Sequence, residues 1–439
     1  MRPSTRLTSF VFTGACAVAF GADEAAVFRP LADAPYAASV TVSAYAAKVF
    51  LSGVGAADAG GVLAGLQRAL QPLGLDRQHL VNVRGSLAPD GEGRLGASMD
   101  AWNAAWTQAF PEAERRPTRT TIGASALADG AAVYAEGVAA YSPTPDTAPP
   151  GRAALNPFVR TVGDGPFGAS AAAVVLPGTA ILFSAGVLAD AADATKPERS
   201  VERFGPMAAQ ARSVFAKLET TLLSQGIQWE DIFYVRALLS PAPGQGAVDF
   251  AGFGEAFRAA FPDRHPALRP ALTLWAAPGF NVNGTLLEVE VYAAAGDARG
   301  PFDRYAAAGL ASPWLSMTGN PEAQISSSGT AARYRALTWF SGAIGTPGAG
   351  MHDEGVGALL ALRRRLGEAG AGLGDVVQLR AYPVVGDAFR KNFDRWNEAY
   401  GRFFNHPKLN PHKPARTAFP VPALPRGAAI EVEVIAVGR

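Results

Sequence analysis

KPARTAFPVPALPRGAAIEVEVIAV, residues 413–437, holds a short segment around Arg416, a turn at Leu424-Pro425-Arg426-Gly427 and an apolar strand from Ile430 to Val437. Proline and glycine at the turn favour a tight reversal, so the chain should double back antiparallel there. Arg416 and Glu431, fifteen residues apart across the turn, are expected near each other on paired strands. Glu433, two residues on, should point the same way as Glu431, because side chains alternate along a strand.

Outward from this run, the same pattern occurs three times. Val83-Arg84-Gly85, Val235-Arg236-Ala237 and Leu379-Arg380-Ala381 each follow an amphipathic helix that ends in a glycine turn, at Gly74, Gly226 and Gly370. A second helix then carries spaced aromatics: Trp102, Trp106 and Phe110; Phe253, Phe257 and Phe261; Trp396, Tyr400 and Phe404. Such a stripe sets one bulky face against a sheet and reads as core rather than a cofactor cage. A segment around Arg119, Arg269 or Arg416 comes next, and an apolar strand ends each copy, at Ala132 to Ala140, Leu286 to Ala294 and Ile430 to Val437. Each copy therefore reads strand, strand, helix, strand, helix, strand, strand. That order predicts an α+β unit, a β-sheet covered by two helices.

Residues 1–22 carry Arg2 and Arg6, then an apolar stretch to Phe20, then Gly21-Ala22 before Asp23-Glu24. This charge order describes a secretory signal, too short for a membrane span, and predicts export to the periplasm or the outside. The single cysteine, Cys16, lies inside it, so a chain cut after Ala22 has no thiol chemistry. Thr13-Gly14-Ala15-Cys16 also reads as a lipobox with threonine where leucine is usual, which would leave a lipid anchor on Cys16. The remaining chain divides into units at 23–141, 159–296 and 324–439. A proline-rich linker at 142–158 and a second linker at 297–323 separate them. With 39 basic against 38 acidic side chains there is no net field to draw in nucleic acid.

The run 413–437 resembles the signature of the RidA (YjgF) family of imine and enamine hydrolases. The likeness extends upstream through Trp396-Asn397-Glu398-Ala399-Tyr400, the strand Val376 to Tyr382, and Phe340-Ser341-Gly342. In the second copy, MAAQARSVFAKLETTLLSQGIQWEDIFYVRALL (207–239) is a similar likeness, and Pro117-Thr118-Arg119 stands in the first where the family has Pro-Ala-Arg. The resemblance implies three tandem RidA-like (chorismate-mutase-like) units. Family members are usually homotrimers with ligand sites between subunits, so one chain with three units implies an intramolecular pseudo-trimer and a monomer.

The family hydrolyses 2-imino or 2-enamino acids to keto acid and ammonia, which makes a small carboxylated metabolite the expected partner. The resemblance makes Arg416 the carboxylate clamp, whose planar guanidinium suits two parallel hydrogen bonds. It makes Glu431 the group that activates water. Ser341 and Gly342 match the small pair that lets a ligand approach the backbone, Asn397 could donate to it, and Ala418 stands where relatives often have cysteine. The family's tyrosine survives only as Tyr36 in the first unit, with Phe167 in its place in the second. The other copies look incomplete: Arg119 is followed at the acid position by Tyr134, and in the second copy either Arg269 or Leu268 matches the clamp, with Glu288 as acid. The expectation is one working cleft, with Arg416 and Glu431 from the third unit completed by Tyr36 from the first. No phosphate loop, Gly-x-Ser-x-Gly elbow or histidine metal spacing occurs, so no cofactor or metal is expected. Two other functions compete: a chorismatase-like lyase or hydrolase of a carboxylated enol, and a non-catalytic binding or scaffold protein.

Overall fold

A computed structural model describes residues 25–30, 36–88, 95–124, 127, 131–142, 152–153, 159–162, 169–170, 172–198, 200–223, 227–261, 270–277, 284–295, 315–318, 328–331, 335–384, 389–404, 414–418 and 420–437. The export segment 1–22 with Cys16, and Phe167, Leu268 and Arg269, lie outside the described residues.

The N-terminal stretch runs β1 (Ala26–Pro30), β2 (Ala37–Val42), β3 (Ala47–Ala56), α1 (Ala59–Leu70), β4 (Leu80–Leu87), α2 (Gly96–Ala109), β5 (Thr118–Gly123) and β6 (Val133–Tyr141). In the middle stretch, β7 (Arg152–Ala153), β8 (Val159–Val162) and β9 (Ala172–Val175) precede β10 (Ala180–Ser184), β11 (Val187–Leu188) and α3 (Val201–Phe204). It continues with α4 (Met207–Leu223), β12 (Ile232–Leu239), α5 (Phe250–Ala260), β13 (Ala271–Ala276) and β14 (Leu287–Ala295). The C-terminal stretch holds β15 (Leu315–Thr318), β16 (Ser328–Ala331), β17 (Leu337–Phe340), β18 (Ala343–Ile344), α6 (Met351–Glu368), β19 (Val376–Pro383), α7 (Phe389–Phe404), β20 (Ala415–Ala418) and β21 (Ile430–Val437). Short strands thus fall inside both segments read as linkers: β7 in 142–158 and β15 in 297–323.

Local chemistry sets the helix ends. Asp58 accepts from the Gly61 N–H at 2.7 Å to start α1, and Asp249 accepts from Gly252 at 2.8 Å to start α5. Beyond α1 and α6 the chain turns at Gly74 (φ 70°) and Gly370 (φ 75°), in the left-handed region that a side chain disfavours.

The strands lie in one order in each stretch: β5-β4-β6-β3, β13-β12-β14-β10 and β20-β19-β21-β17. The first pair in each is parallel and the others antiparallel. The stretches join through their edges: β9 pairs β3, β16 pairs β10, and β2 pairs β17. These joins link N-terminal to middle, middle to C-terminal, and C-terminal back to N-terminal.

Each sheet segment buries one face under its helices. The aromatic stripes pack there, with Trp102 and Trp106, Phe253 and Phe257, and Trp396 and Tyr400 fully buried. The opposite faces meet one another through Val40, Phe50, Phe183, Tyr292, Trp339 and Ile435. Strands such as Leu80–Leu87 are therefore buried along their whole length, and any charge they carry must find a partner inside.

Arg84, Arg236 and Arg380 find theirs in Glu136, Glu290 and Glu433. Arg84 Nη1 reaches Glu136 at 3.0 Å and its Nε bonds Glu433; Arg236 bonds both Glu136 and Glu290; Arg380 reaches Glu290 at 2.7 Å and Glu433 at 3.1 Å. The six side chains form a closed, neutral ring of alternating charge that ties all three stretches together. Burial opposes charge on Glu136 and Glu433, but the flanking guanidiniums outweigh it and hold both carboxyls at about 2. Among the described residues no helix is long and apolar enough to cross a membrane.

Candidate active site

Strand register decides which residues can meet. Arg119 lies beside Val83 and Thr120 beside Arg84; Arg416 lies beside Leu379 and Thr417 beside Arg380. In the middle stretch the same place beside Val235 is held by Leu272, with Thr273 beside Arg236. The clamp position read as Arg269 or Leu268 is thus an apolar residue three or four places later.

The expected pairing of Arg416 with Glu431 is not the one the structure makes. The reversal at 424–427 carries the chain past β19, which lies between β20 and β21. Arg416 turns to α7, donating to Asn397 Oδ1 at 3.0 Å with its guanidinium 4.6 Å from the Tyr400 ring centre. The carboxylate whose field reaches it is Glu288. Glu431 instead feels Arg119 and Arg365.

That second grouping forms a candidate cleft where the N- and C-terminal stretches join. The Arg119 guanidinium lies 4.7 Å from the Tyr36 ring centre and 5.1 Å from that of Trp106, and its Nη2 donates to Asn103 Oδ1 at 2.8 Å. The Arg119 backbone N–H donates to Ser341 Oγ at 2.8 Å, and that hydroxyl donates to the Ala37 carbonyl at 2.5 Å. Gly342 N–H donates to Thr120 Oγ1 at 3.2 Å and to the Arg119 carbonyl at 3.3 Å. The Glu431 carboxyl packs on Gly342 so closely that a Cβ there would overlap it. Arg119 Nη1 and Glu431 Oε2 are both buried, and neither has a hydrogen-bond partner among the described residues.

Burial, reinforced by the nearby charge of Glu433, pushes the Glu431 carboxyl up to about 8, although Arg119 and Arg365 pull the other way. Burial also brings Arg119 down to about 10, which leaves it cationic at neutral pH. The cleft thus presents a fixed cation beside a carboxyl that holds its proton near neutrality.

Two further groupings occupy the corresponding positions. In one, Arg416 and Asn397 lie with Glu288, likewise pushed up to about 8 by burial and Glu290 against Arg416, and packed on Gly186. Ala185 stands there where the first cleft has Ser341, and Ala418, on β20, is half-buried beside the α6–α7 core. In the other, the Leu272 N–H donates to Ser52 Oγ at 2.8 Å, as Arg119 does to Ser341. Tyr134 fills the acid position against Gly53, with its hydroxyl accepting from Leu274 N–H at 3.4 Å. Among the described residues that third place has neither arginine nor carboxylate at these positions.

Of the residues singled out in the sequence, Glu431, Ser341, Gly342 and Tyr36 thus meet in one cleft, while Arg416, Asn397 and Ala418 belong with β20 on another. Sequence reasoning passed over Arg119 because its own copy has Tyr134 at the acid position. Its carboxyl comes from the C-terminal stretch, and the signal that could have found it was the family's habit of building sites between subunits. Arg365 and Asn103 carried no motif.

A family model described as endoribonuclease L-PSP matches residues 321–438. A Thermotoga maritima protein provisionally described as an endoribonuclease is 30% identical, over 24% of this chain and 80% of its own, with a TM-score of 0.21. Escherichia coli TdcF, solved with bound serine, is 25% identical over 23% of this chain and 80% of its own, with a TM-score of 0.21. RidA from an Antarctic Psychrobacter is 24% identical over 23% and 79%, with a TM-score of 0.20. No curated protein matches the chain. Residues 321–438 thus match the RidA/YjgF family.

Proposed function

We propose that the protein is an exported hydrolase of small 2-imino or 2-enamino carboxylic acids, working in the cleft of Arg119, Tyr36, Ser341, Gly342 and Glu431. Its three stretches then act as RidA-like units about a pseudo-threefold axis. The common strand order and the cyclic edge pairing support that arrangement. The observation that carries the functional reading is the pair of buried orphans, Arg119 Nη1 and Glu431 Oε2. An unmet cationic donor and an unmet carboxyl oxygen in one cleft both cost free energy until a ligand satisfies them.

The substrate carboxylate takes Arg119 Nη1 as donor, which orients the adjacent imine carbon toward Glu431. Glu431, protonated at neutral pH, gives its proton to the imine nitrogen; with an enamine it first protonates the carbon that becomes saturated. The resulting carboxylate then accepts a proton from water as the water oxygen bonds to the imine carbon. Glu431, protonated again, gives that proton to the amino nitrogen of the tetrahedral amino alcohol; the C–N bond breaks, ammonia leaves, and the hydroxyl proton passes to Glu431 as the keto acid forms. One group serves as acid and base in turn because its affinity for protons lies close to the working pH.

The grouping of Arg416 with Glu288 is read as a second carboxylate-binding place of lower activity, since Ala185 there lacks the hydroxyl of Ser341. The test is ammonia release from imino acids generated in situ by an amino acid oxidase, with and without the full-length protein. No acceleration over buffer for any imino acid would overturn the reading and favour a binding or scaffold role.

A further inference from the structure

Arg365 takes no part in that mechanism, yet it borders the same cleft. It lies near the end of α6, 9% exposed, and forms no ion pair among the described residues; its neighbours Arg364 and Glu368 pair with each other at 3.7 Å. Its Nη1 donates to the Ser341 carbonyl at 3.0 Å and lies 3.5 Å from that of Gly342, while its buried Nε has no partner. Arg365 is therefore anchored on the two residues that Arg119 and Glu431 pack against. Tyr36 and Glu431 are among the groups whose charges act on it.

The position is peculiar to this cleft. Counting five residues back from each helix-ending glycine gives Ala69 before Gly74, Thr221 before Gly226 and Arg365 before Gly370. Only the copy whose Ser-Gly pair meets Arg119 places a cation there. Arg119 and Arg365 are both buried, neither forms an ion pair among the described residues, and a buried guanidinium without a carboxylate is costly. The single carboxylate of a simple 2-imino acid would neutralise only one of them.

We propose that this cleft takes a dianion, a 2-imino acid bearing a second carboxylate, with Arg119 holding the carboxylate next to the imine carbon and Arg365 the distal one. This rests on the imine-hydrolase reading and specifies its substrate class. Arg365 is then a specificity residue: it adds affinity for the longer substrate through a charge-assisted hydrogen bond and leaves the reacting carbon to Arg119 and Glu431.

Calorimetric titration of the full-length protein with pyruvate, freshly dissolved oxaloacetate and 2-oxoglutarate, keto-acid counterparts of the imines, tests it. At least one dicarboxylate is expected to bind about tenfold or more tightly than pyruvate, and Arg365→Met to narrow that gap to about threefold or less. Arg365→Lys, which keeps the charge, is expected to retain part of the preference. Pyruvate binding as tightly as both dicarboxylates, or a gap that persists in Arg365→Met, would overturn the proposal while leaving the hydrolase reading intact. Failure of all three acids to bind would instead remove the carboxylate-binding reading of the cleft, and this inference with it.

Discussion

Glu431 and Glu433 lie two residues apart on one strand, and their surroundings drive them in opposite directions. Glu433, held by Arg84 and Arg380, stays ionised down to about 2, whereas Glu431 keeps its proton up to about 8. A carboxyl raised in this way binds more protons folded than unfolded between about 4.5 and about 8, so its contribution to stability declines as pH rises through that window. The slope for one such group is about 1.4 kcal/mol per pH unit. Glu433 works the other way, and its contribution is lost only as pH falls from the ordinary carboxylate range toward about 2. Denaturant unfolding at pH 5 and pH 8 should therefore show a smaller loss for Glu431→Gln than for the unsubstituted protein. An identical loss in both would mean that Glu431 titrates normally. That the two glutamates share a face could be read from their spacing; which of them would ionise could not, because Arg84 lies in another copy of the pattern.

Among the elements, helices, strands and their order were legible because each rests on local signals: glycine turns, aromatics one helical turn apart and apolar strand runs. The stripes carry more than the expected packing role, since Trp106 and Tyr400 also underlie Arg119 and Arg416. Register was harder to read. The segment that includes Leu272 runs parallel to β12, and nothing in its sequence fixes which residue lies beside Val235; the hydrogen-bonded ladder does. Gly342 gives the sharpest test at this scale. A methyl at Gly342 would displace the Glu431 carboxyl, and one at Gly186 would displace Glu288. Gly342→Ala should therefore misplace Glu431 in the Arg119 cleft and cut ammonia release by about 10² or more, the usual cost of misplacing a catalytic group. Gly186→Ala should cost far less. Equal losses in the two variants would mean that turnover is shared between the clefts.

Across the whole molecule, the Arg–Glu ring joins residues as distant in sequence as Arg84 and Glu433. Removing one arginine leaves two buried carboxylates short of a partner, and breaking a buried pair in this way typically costs about 3–5 kcal/mol. Arg236→Ala should lower the denaturant midpoint by a corresponding amount, and a loss below about 1 kcal/mol would mean that the ring contributes little to holding the stretches together. The cyclic edge pairing supports a monomeric chain, which light scattering would check, and fractionation of cells would check export. The same long-range closure explains the mistaken pairing of Arg416 with Glu431. Spacing within one copy cannot reveal that a clamp and an acid 312 residues apart face each other across a join between stretches.

The most direct test of the Arg119–Glu431 cleft compares rates of imine hydrolysis in Arg119→Ala and Arg416→Ala. Arg119→Ala is expected to lower the rate by about 10²–10³, the typical effect of removing one preorganised donor, with Arg416→Ala staying within about threefold of the unsubstituted protein. The reverse pattern, with Arg416→Ala inactive and Arg119→Ala unaffected, would contradict the account.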